Sequence, residues 1–232
     1  MKDFVFDCNF DAISSDGHKF CVIEACTSSF DAEEGDKENT VKYVFESHSN
    51  TNLEIVLTKV VVLNEFYSTH LNSNVPKHIN EDSTYHMDVV SMAKHILSKS
   101  DFDRLCNSSD ESERQEAVEY IRRGSSAYRK KYHKEAYSFA TKYCSWHNPN
   151  LFPIVDSYSK GMLYYLNKQF GFYTKKHSKP LTQESLKQYS VFCEAYKALL
   201  ESLRDCGKEL DSRKLDKFLW YYGKHHDIYL DV

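Results

Sequence analysis

The sequence predicts a mostly helical protein with a short β-prone arm at its N-terminus. Three observations lead there. Glycine and proline are scarce, seven and four in 232 residues, so little in the chain interrupts a helix. From Val41 onward, segments with helix-start signals repeat apolar residues at helical spacing. The first thirty residues differ. Phe4-Val5-Phe6 and Phe20-Cys21-Val22-Ile23 are short β-prone runs, separated by the turn signal Ser14-Ser15-Asp16-Gly17. They predict a hairpin or a packed arm, and the organisation expected is an arm over residues 1–40 followed by a helical domain over 41–232.

The elements follow in order. The acidic, polar stretch 31–39 reads as a loop or a helix start. Thr51-Asn52-Leu53-Glu54 reads as a capping box, opening a long helix through Ile55, Val56, Val60, Leu63, Phe66 and Tyr67. Val60, Val61 and Val62 in succession would also fit a strand, but the cap and the length favour a helix. Residues 85–99 predict the next helix, with Met87, Val90, Met92, Ala93 and Ile96 apolar. Residues 109–123 carry early acids and late arginines, which complement a helix macrodipole, and Gly124 ends that helix. Further helices are expected at 127–146, 157–170, 182–206 and 211–225.

Composition bounds the function. A hydrophobic fraction of 41% and an aromatic fraction of 14% allow a sizeable core and leave rigid rings for binding. No apolar run approaches the ~20 residues of a membrane span. The opening Met-Lys-Asp-Phe-Val-Phe-Asp-Cys lacks the apolar centre of a signal peptide, so a cytoplasmic monomer without a membrane partner is expected. The seven cysteines are scattered and form no Cys-x-x-Cys pair, as buried reduced thiols would. Cys8, His18, Cys21 and Cys26 lack the compact spacing of a metal site and read as strand packing. His225 and His226 are adjacent and would face different sides of a helix. There is no P-loop and no Rossmann glycine pattern, so neither a metal nor a cofactor is expected.

Charge is unevenly spread. The chain carries a net −4, which alone argues against nucleic acid. Yet residues 121–180 hold twelve lysines and arginines against two acids, Glu135 and Asp156, a local net of +10. Such a block is a field for an anionic partner, or a solvated face that meets an acidic face of the same protein. Asp156 follows the apolar run Phe152-Pro153-Ile154-Val155 at a predicted helix start. A carboxylate there can serve as a cap, or face whatever lies before the positive helix end.

Two passages then point to a family. Ser138-Phe139-Ala140-Thr141-Lys142-Tyr143, followed by Phe152-Pro153-Ile154-Val155-Asp156-Ser157, resembles the helix-hairpin-helix DNA glycosylases, including bacterial 8-oxoguanine-glycosylase-like proteins. Val62-Leu63-Asn64-Glu65-Phe66-Tyr67-Ser68-Thr69 is similar to the same set. The likeness covers about a third of the chain closely, and by helix pattern about three quarters. It implies a helix-hairpin-helix glycosylase-like helical domain, a double-stranded DNA partner, and a hydrolase that flips and excises a damaged or modified base. The chain departs from the family's Gly-hydrophobe-Gly hairpin, offering Arg122-Arg123-Gly124-Ser125-Ser126 instead. Lys142 also lies 14 positions before Asp156, nearer than the family's lysine stands to its aspartate.

The resemblance implies roles. Asp156 would stabilise the oxocarbenium-like sugar. Lys142 would be a Schiff-base nucleophile in a lyase reaction, or a phosphate contact. Arg122, Arg123, Gly124, Ser125, Ser126, Lys130 and Lys131 would hold DNA phosphates. Asn64, Tyr67, Trp146, His147 and Asn148 would line the base pocket, although Trp146 also suits a core and His147 and Asn148 a turn. Repair and antiviral defence are both open as roles. The alternatives are a non-catalytic DNA-binding module of the same fold and a helical adaptor for an acidic protein.

Overall fold

The computed structural model describes residues 7, 9–67, 69, 71, 89–124 and 136–230. The chain is mostly helical with one short two-stranded sheet. It divides into two compact units, one formed by Met1–Gly35 with Pro153–Val232 and the other by Asp36–Phe152.

The first unit begins with an antiparallel hairpin, β1 (Asp11–Ile13) and β2 (Lys19–Cys21), in which Ala12 faces Phe20. The connecting turn is the one expected, with Gly17 at φ +86° and the Ser14 amide bonded to the His18 carbonyl. Phe4-Val5-Phe6 lies outside the described residues. β2 runs directly into α1 (Val22–Glu46), whose residues up to Gly35 belong to this unit. Of the two readings of 31–39, a loop or a helix start, the helical one holds: those residues are helical, and residue 40 lies inside the helix. Tertiary partners explain the difference. Lys217 Nζ donates to Asp31 Oδ1 at 2.6 Å, and the Tyr221 hydroxyl donates to Glu33 Oε1 at 2.8 Å. The acids have cationic or hydroxyl neighbours that the local sequence does not reveal.

The rest of this unit holds three longer helices. They are α7 (Ser157–Phe170), α8 (Tyr189–Asp205) and α9 (Ser212–His225). α7 has the expected bounds and ends at Gly171, whose φ of +65° is the left-handed C-cap that glycine adopts without strain. The helix expected over 182–206 is interrupted. Thr182 and Ser185 exchange backbone-to-hydroxyl bonds at 3.0 Å, but only a 3-10 turn, Ser185–Lys187, follows. Gln188 is extended at ψ 123°, and α8 starts after it. Asp211 caps α9 by accepting from the Lys214 amide at 2.7 Å. α9 packs on α7, and Leu163, Leu166, Phe192, Leu199, Leu215 and Phe218 are buried. Phe10 adds its ring to this core, 5.7 Å from Phe170 and 5.8 Å from Phe218.

Among the described residues, the second unit contains the end of α1 and five helices. They are α2 (Leu53–Phe66), α3 (Val89–Leu97), α4 (Phe102–Cys106), α5 (Glu111–Gly124) and α6 (Tyr137–His147). The α2 cap is corrected by one residue. Asn52, not Thr51, is the cap, and its side chain accepts from the Ile55 amide at 3.0 Å. The run of valines is helical because successive turns bury Val56, Val60 and Leu63 completely. α2 packs on α3 and α6, and α5 packs on α3, α4 and α6. Met92, Ile96, Phe102, Val118, Ile121 and Phe139 are buried in this unit. The expected starts at residues 85 and 127 lie outside the described residues.

Candidate active site

Asp156 is the N-cap of α7, in the first unit. Its backbone is extended, its side chain is 7% exposed, and its Oδ1 accepts from the Ser159 amide at 2.8 Å. Ser159 returns the contact: its hydroxyl accepts from the Asp156 amide at 2.9 Å and donates to the Ile154 carbonyl at 2.9 Å. One serine thus stitches the turn 154–156 to the first turn of the helix. The result is a buried carboxylate of fixed rotamer at a positive helix end.

Asp216, which the sequence reading passed over, belongs to the same neighbourhood. It sits on α9 at 7% exposure, and neither carboxyl oxygen has a partner in hydrogen-bonding geometry. The Arg213 cation, the Tyr196 hydroxyl and the Ile154 amide are close enough to favour its charged form. Burial outweighs them and, with the Asp156 charge adding to it, pushes the Asp216 carboxyl up to about 8. The Tyr196 hydroxyl itself donates to the Ser212 carbonyl at 2.6 Å. Asp216 lies four residues into a helix whose apolar stripe is strong, and nothing in the local sequence separates it from an exposed aspartate.

Lys142 is on α6 in the second unit, 7% exposed, with its Nζ 5.5 Å from the centroid of the Tyr67 ring. The Tyr67 and Trp146 rings are 6.2 Å apart. Three residues named from the sequence are therefore neighbours: a buried lysine over the Tyr67 ring, which in turn meets Trp146. Asn64 makes local bonds. Its Oδ1 accepts from the Leu71 amide at 2.8 Å and the Thr69 hydroxyl at 3.2 Å, tying the chain back to the end of α2. Asn148 closes α6 as its C-cap, its amide donating to the Cys144 carbonyl at 3.1 Å.

His147 joins a buried network that the sequence reading missed. Asn50 is its centre. Asn50 Oδ1 accepts from Lys59 Nζ at 3.0 Å and from the Tyr143 hydroxyl at 2.9 Å. Asn50 Nδ2 donates to Asp103 Oδ1 at 2.6 Å and meets His147 Nε2 at 3.1 Å. An amide nitrogen only donates, so Nε2 accepts and the imidazole proton is on Nδ1. Burial holds the imidazole down to about 3, helped by the Lys59 cation and opposed by Asp103. Burial also pulls the fully buried Lys59 ammonium down to about 8. Lys59 Nζ donates to the His48 carbonyl at 2.6 Å as well. These partners come from α2, α4, α6 and the loop before α2, so no spacing in the sequence announces them.

The basic passage is described only in part. Arg122 pairs with Glu119 at 2.7 Å and lies 4.9 Å over the Tyr137 ring, while Arg123 is exposed. A Cβ on Gly124 would fall 2.2 Å from the His95 ring, so this glycine makes room for an imidazole. Ser125, Ser126, Lys130 and Lys131 lie outside the described residues. Among the described residues, no group of three or more His, Cys, Asp or Glu side chains could hold a metal ion. No helix among them is long and apolar enough to cross a membrane.

Residues 22–151 match the family HI_0787_N, described as an N-terminal domain. An uncharacterized protein of Haemophilus influenzae (strain ATCC 51907 / DSM 11121 / KW20 / Rd) is 35% identical over 153 residues, which is 66% of this chain. The match spans 65% of that relative's length. No solved structure matches. The family match runs from the first residue of α1 to the residue before Phe152, more than half of the chain, and the chain belongs to the HI_0787_N family.

Proposed function

We propose that the chain is a DNA N-glycosylase of helix-hairpin-helix type that flips a damaged or modified base out of the duplex and removes it. The observation that carries this reading is Asp156, a buried carboxylate held in one rotamer at the positive end of a fourteen-residue helix. When the bond between sugar and base breaks, its electron pair leaves with the base and positive charge appears on the sugar. Asp156 stabilises that charge. Water then adds its oxygen to the sugar carbon, and its proton passes through solvent to the departing base.

The test is a screen of duplexes bearing different damaged or modified bases, read as abasic-site formation. On a positive duplex, Asp156→Asn keeps the shape and cap but loses the charge. Single-turnover base release should fall a hundredfold or more, as when a preorganised electrostatic group is lost, while DNA binding persists. One observation favours a second reading. Asp156 Oδ1 is already engaged by the Ser159 amide, as in a purely structural cap. A non-catalytic DNA-binding module would bind the same duplexes and release no base from any of them.

A further inference from the structure

The buried network of the 36–152 unit holds an amine against a carboxamide. Lys59 Nζ stands 3.0 Å from Asn50 Oδ1, and the lysine is completely buried. Both of its hydrogen-bond acceptors, that oxygen and the His48 carbonyl at 2.6 Å, are neutral. An interior ammonium on neutral oxygens is costly. Burial, opposed by Asp103 and Cys106, brings it down to about 8, and the free amine is a nucleophile. The carboxamide is engaged at both ends. The Tyr143 hydroxyl donates to Oδ1 at 2.9 Å, where negative charge gathers when Cγ is attacked. Asp103 Oδ1 accepts from Nδ2 at 2.6 Å and His147 Nε2 at 3.1 Å, so proton acceptors surround the nitrogen that would leave. The buried Phe45 ring lies 5.0 Å from Nζ and 5.2 Å from the Tyr143 ring, and such rings keep competing water away. Cγ lies one carbonyl bond, ~1.2 Å, behind Oδ1, so Nζ is no more than about 4.2 Å from it. A swing of the lysine tip from the edge of the amide to its face reaches the ~3–3.5 Å of a near-attack geometry.

We propose that Lys59 and Asn50 join in an intramolecular isopeptide bond, with Asp103 carrying the proton and Tyr143 holding the oxyanion. The neutral Nζ gives its lone pair to Cγ, and the carbonyl π pair moves onto Oδ1 beside the Tyr143 hydroxyl. Nζ and Nδ2 are then bonded to the same carbon, so the Asp103 carboxylate that touches Nδ2 is within reach of both. It takes the extra proton from Nζ and gives it to Nδ2. The pair on Oδ1 returns, the Cγ–Nδ2 bond breaks, and ammonia leaves with the bonding pair. No oxidant or other reactant is consumed. The structure shows the pair before it joins. The product replaces a buried ammonium with a neutral amide, whose oxygen keeps Tyr143 and whose N–H faces Asp103.

The full chain is incubated at about pH 9, where the Lys59 amine is mostly free, and weighed by mass spectrometry after denaturation. It should end lighter than its sequence by one ammonia. Cleavage after glutamate, which otherwise separates residues 47–54 from 55–65, should release the two as one branched peptide. A wild type that keeps its full mass overturns the proposal. Lys59→Arg should keep its full mass; an ammonia loss that persists there, from a succinimide at an asparagine, overturns the role of the lysine. Asn50→Asp should expel one water in place of ammonia, and full mass in that variant overturns the assignment of Asn50 as the acceptor. Asp103→Asn keeps the shape without the carboxylate and should slow the joining roughly a hundredfold or more, whereas a wild-type rate overturns the role of Asp103. One comparison needs no substitution: wild type unfolded in urea at the same pH should not join, and equal joining there overturns the need for the folded site.

Discussion

Replacing Asn50 with alanine removes four hydrogen bonds at once from the interior of the 36–152 unit. The side chain accepts from Lys59 and Tyr143 and donates to Asp103 and His147. The partners are not equally harmed. Asp103 Oδ2 keeps the Asn50 backbone amide at 2.9 Å, and Asp103 is only half-buried, so water can reach it. Tyr143 is completely buried, and its hydroxyl is left without its Asn50 partner. Lys59 is also completely buried and keeps the His48 carbonyl at 2.6 Å, but loses its other acceptor. Each orphaned buried group costs about 1–3 kcal/mol. Two such groups predict a loss of roughly 2–6 kcal/mol, a large part of the ~5–15 kcal/mol that holds a typical domain together. Urea unfolding of wild type and Asn50→Ala, compared at equal slope, measures this. A loss below about 1 kcal/mol would mean that the network is solvated and does not hold the unit together.

The remaining predictions concern separate places. His147 is held at about 3, below its ordinary 6.5, so the unfolded chain takes up the proton first. Stability is then full above pH 6.5 and falls toward pH 3, by at most ~5 kcal/mol; His147→Gln should flatten that limb in urea midpoints measured against pH. Gly161→Ala places a Cβ 2.6 Å from the Tyr229 Cα and 2.7 Å from the Ile228 carbonyl oxygen, backbone that is anchored by the Leu230 amide to the Ser157 carbonyl at 2.9 Å. Overpacking of this kind costs about 1–3 kcal/mol, and an unchanged melting temperature would show that the tail gives way freely. Reversing Arg122, Arg123, Lys130 and Lys131 to Glu should weaken duplex binding and flatten its dependence on salt; equal affinity at every salt concentration would remove this surface from the DNA interface.

The sequence by itself determined the helical class, the N-terminal turn and the ends of α7, because each depends on residues close in the chain. Asp156 and Ser159 are three positions apart and cap the helix wherever it lies, and Gly171 ends it through its own backbone freedom. The same locality explains what the sequence did not show. Asp31 and Glu33 are helical because Lys217 and Tyr221, nearly two hundred residues away, meet them. Gly124, which resembled a phosphate-binding glycine, makes room for the ring of His95 on another helix. Among the residues named for the site, Tyr67, Lys142 and Trp146 were legible as types, but their juxtaposition required α2 and α6 to pack. Asp216 and the Asn50 network were not legible at all. Whether an aspartate is solvated or stripped of water, and whether an asparagine has four partners or none, depends on neighbours distant in the chain. Desolvation is a property of the packed interior, and only the tertiary structure decided it.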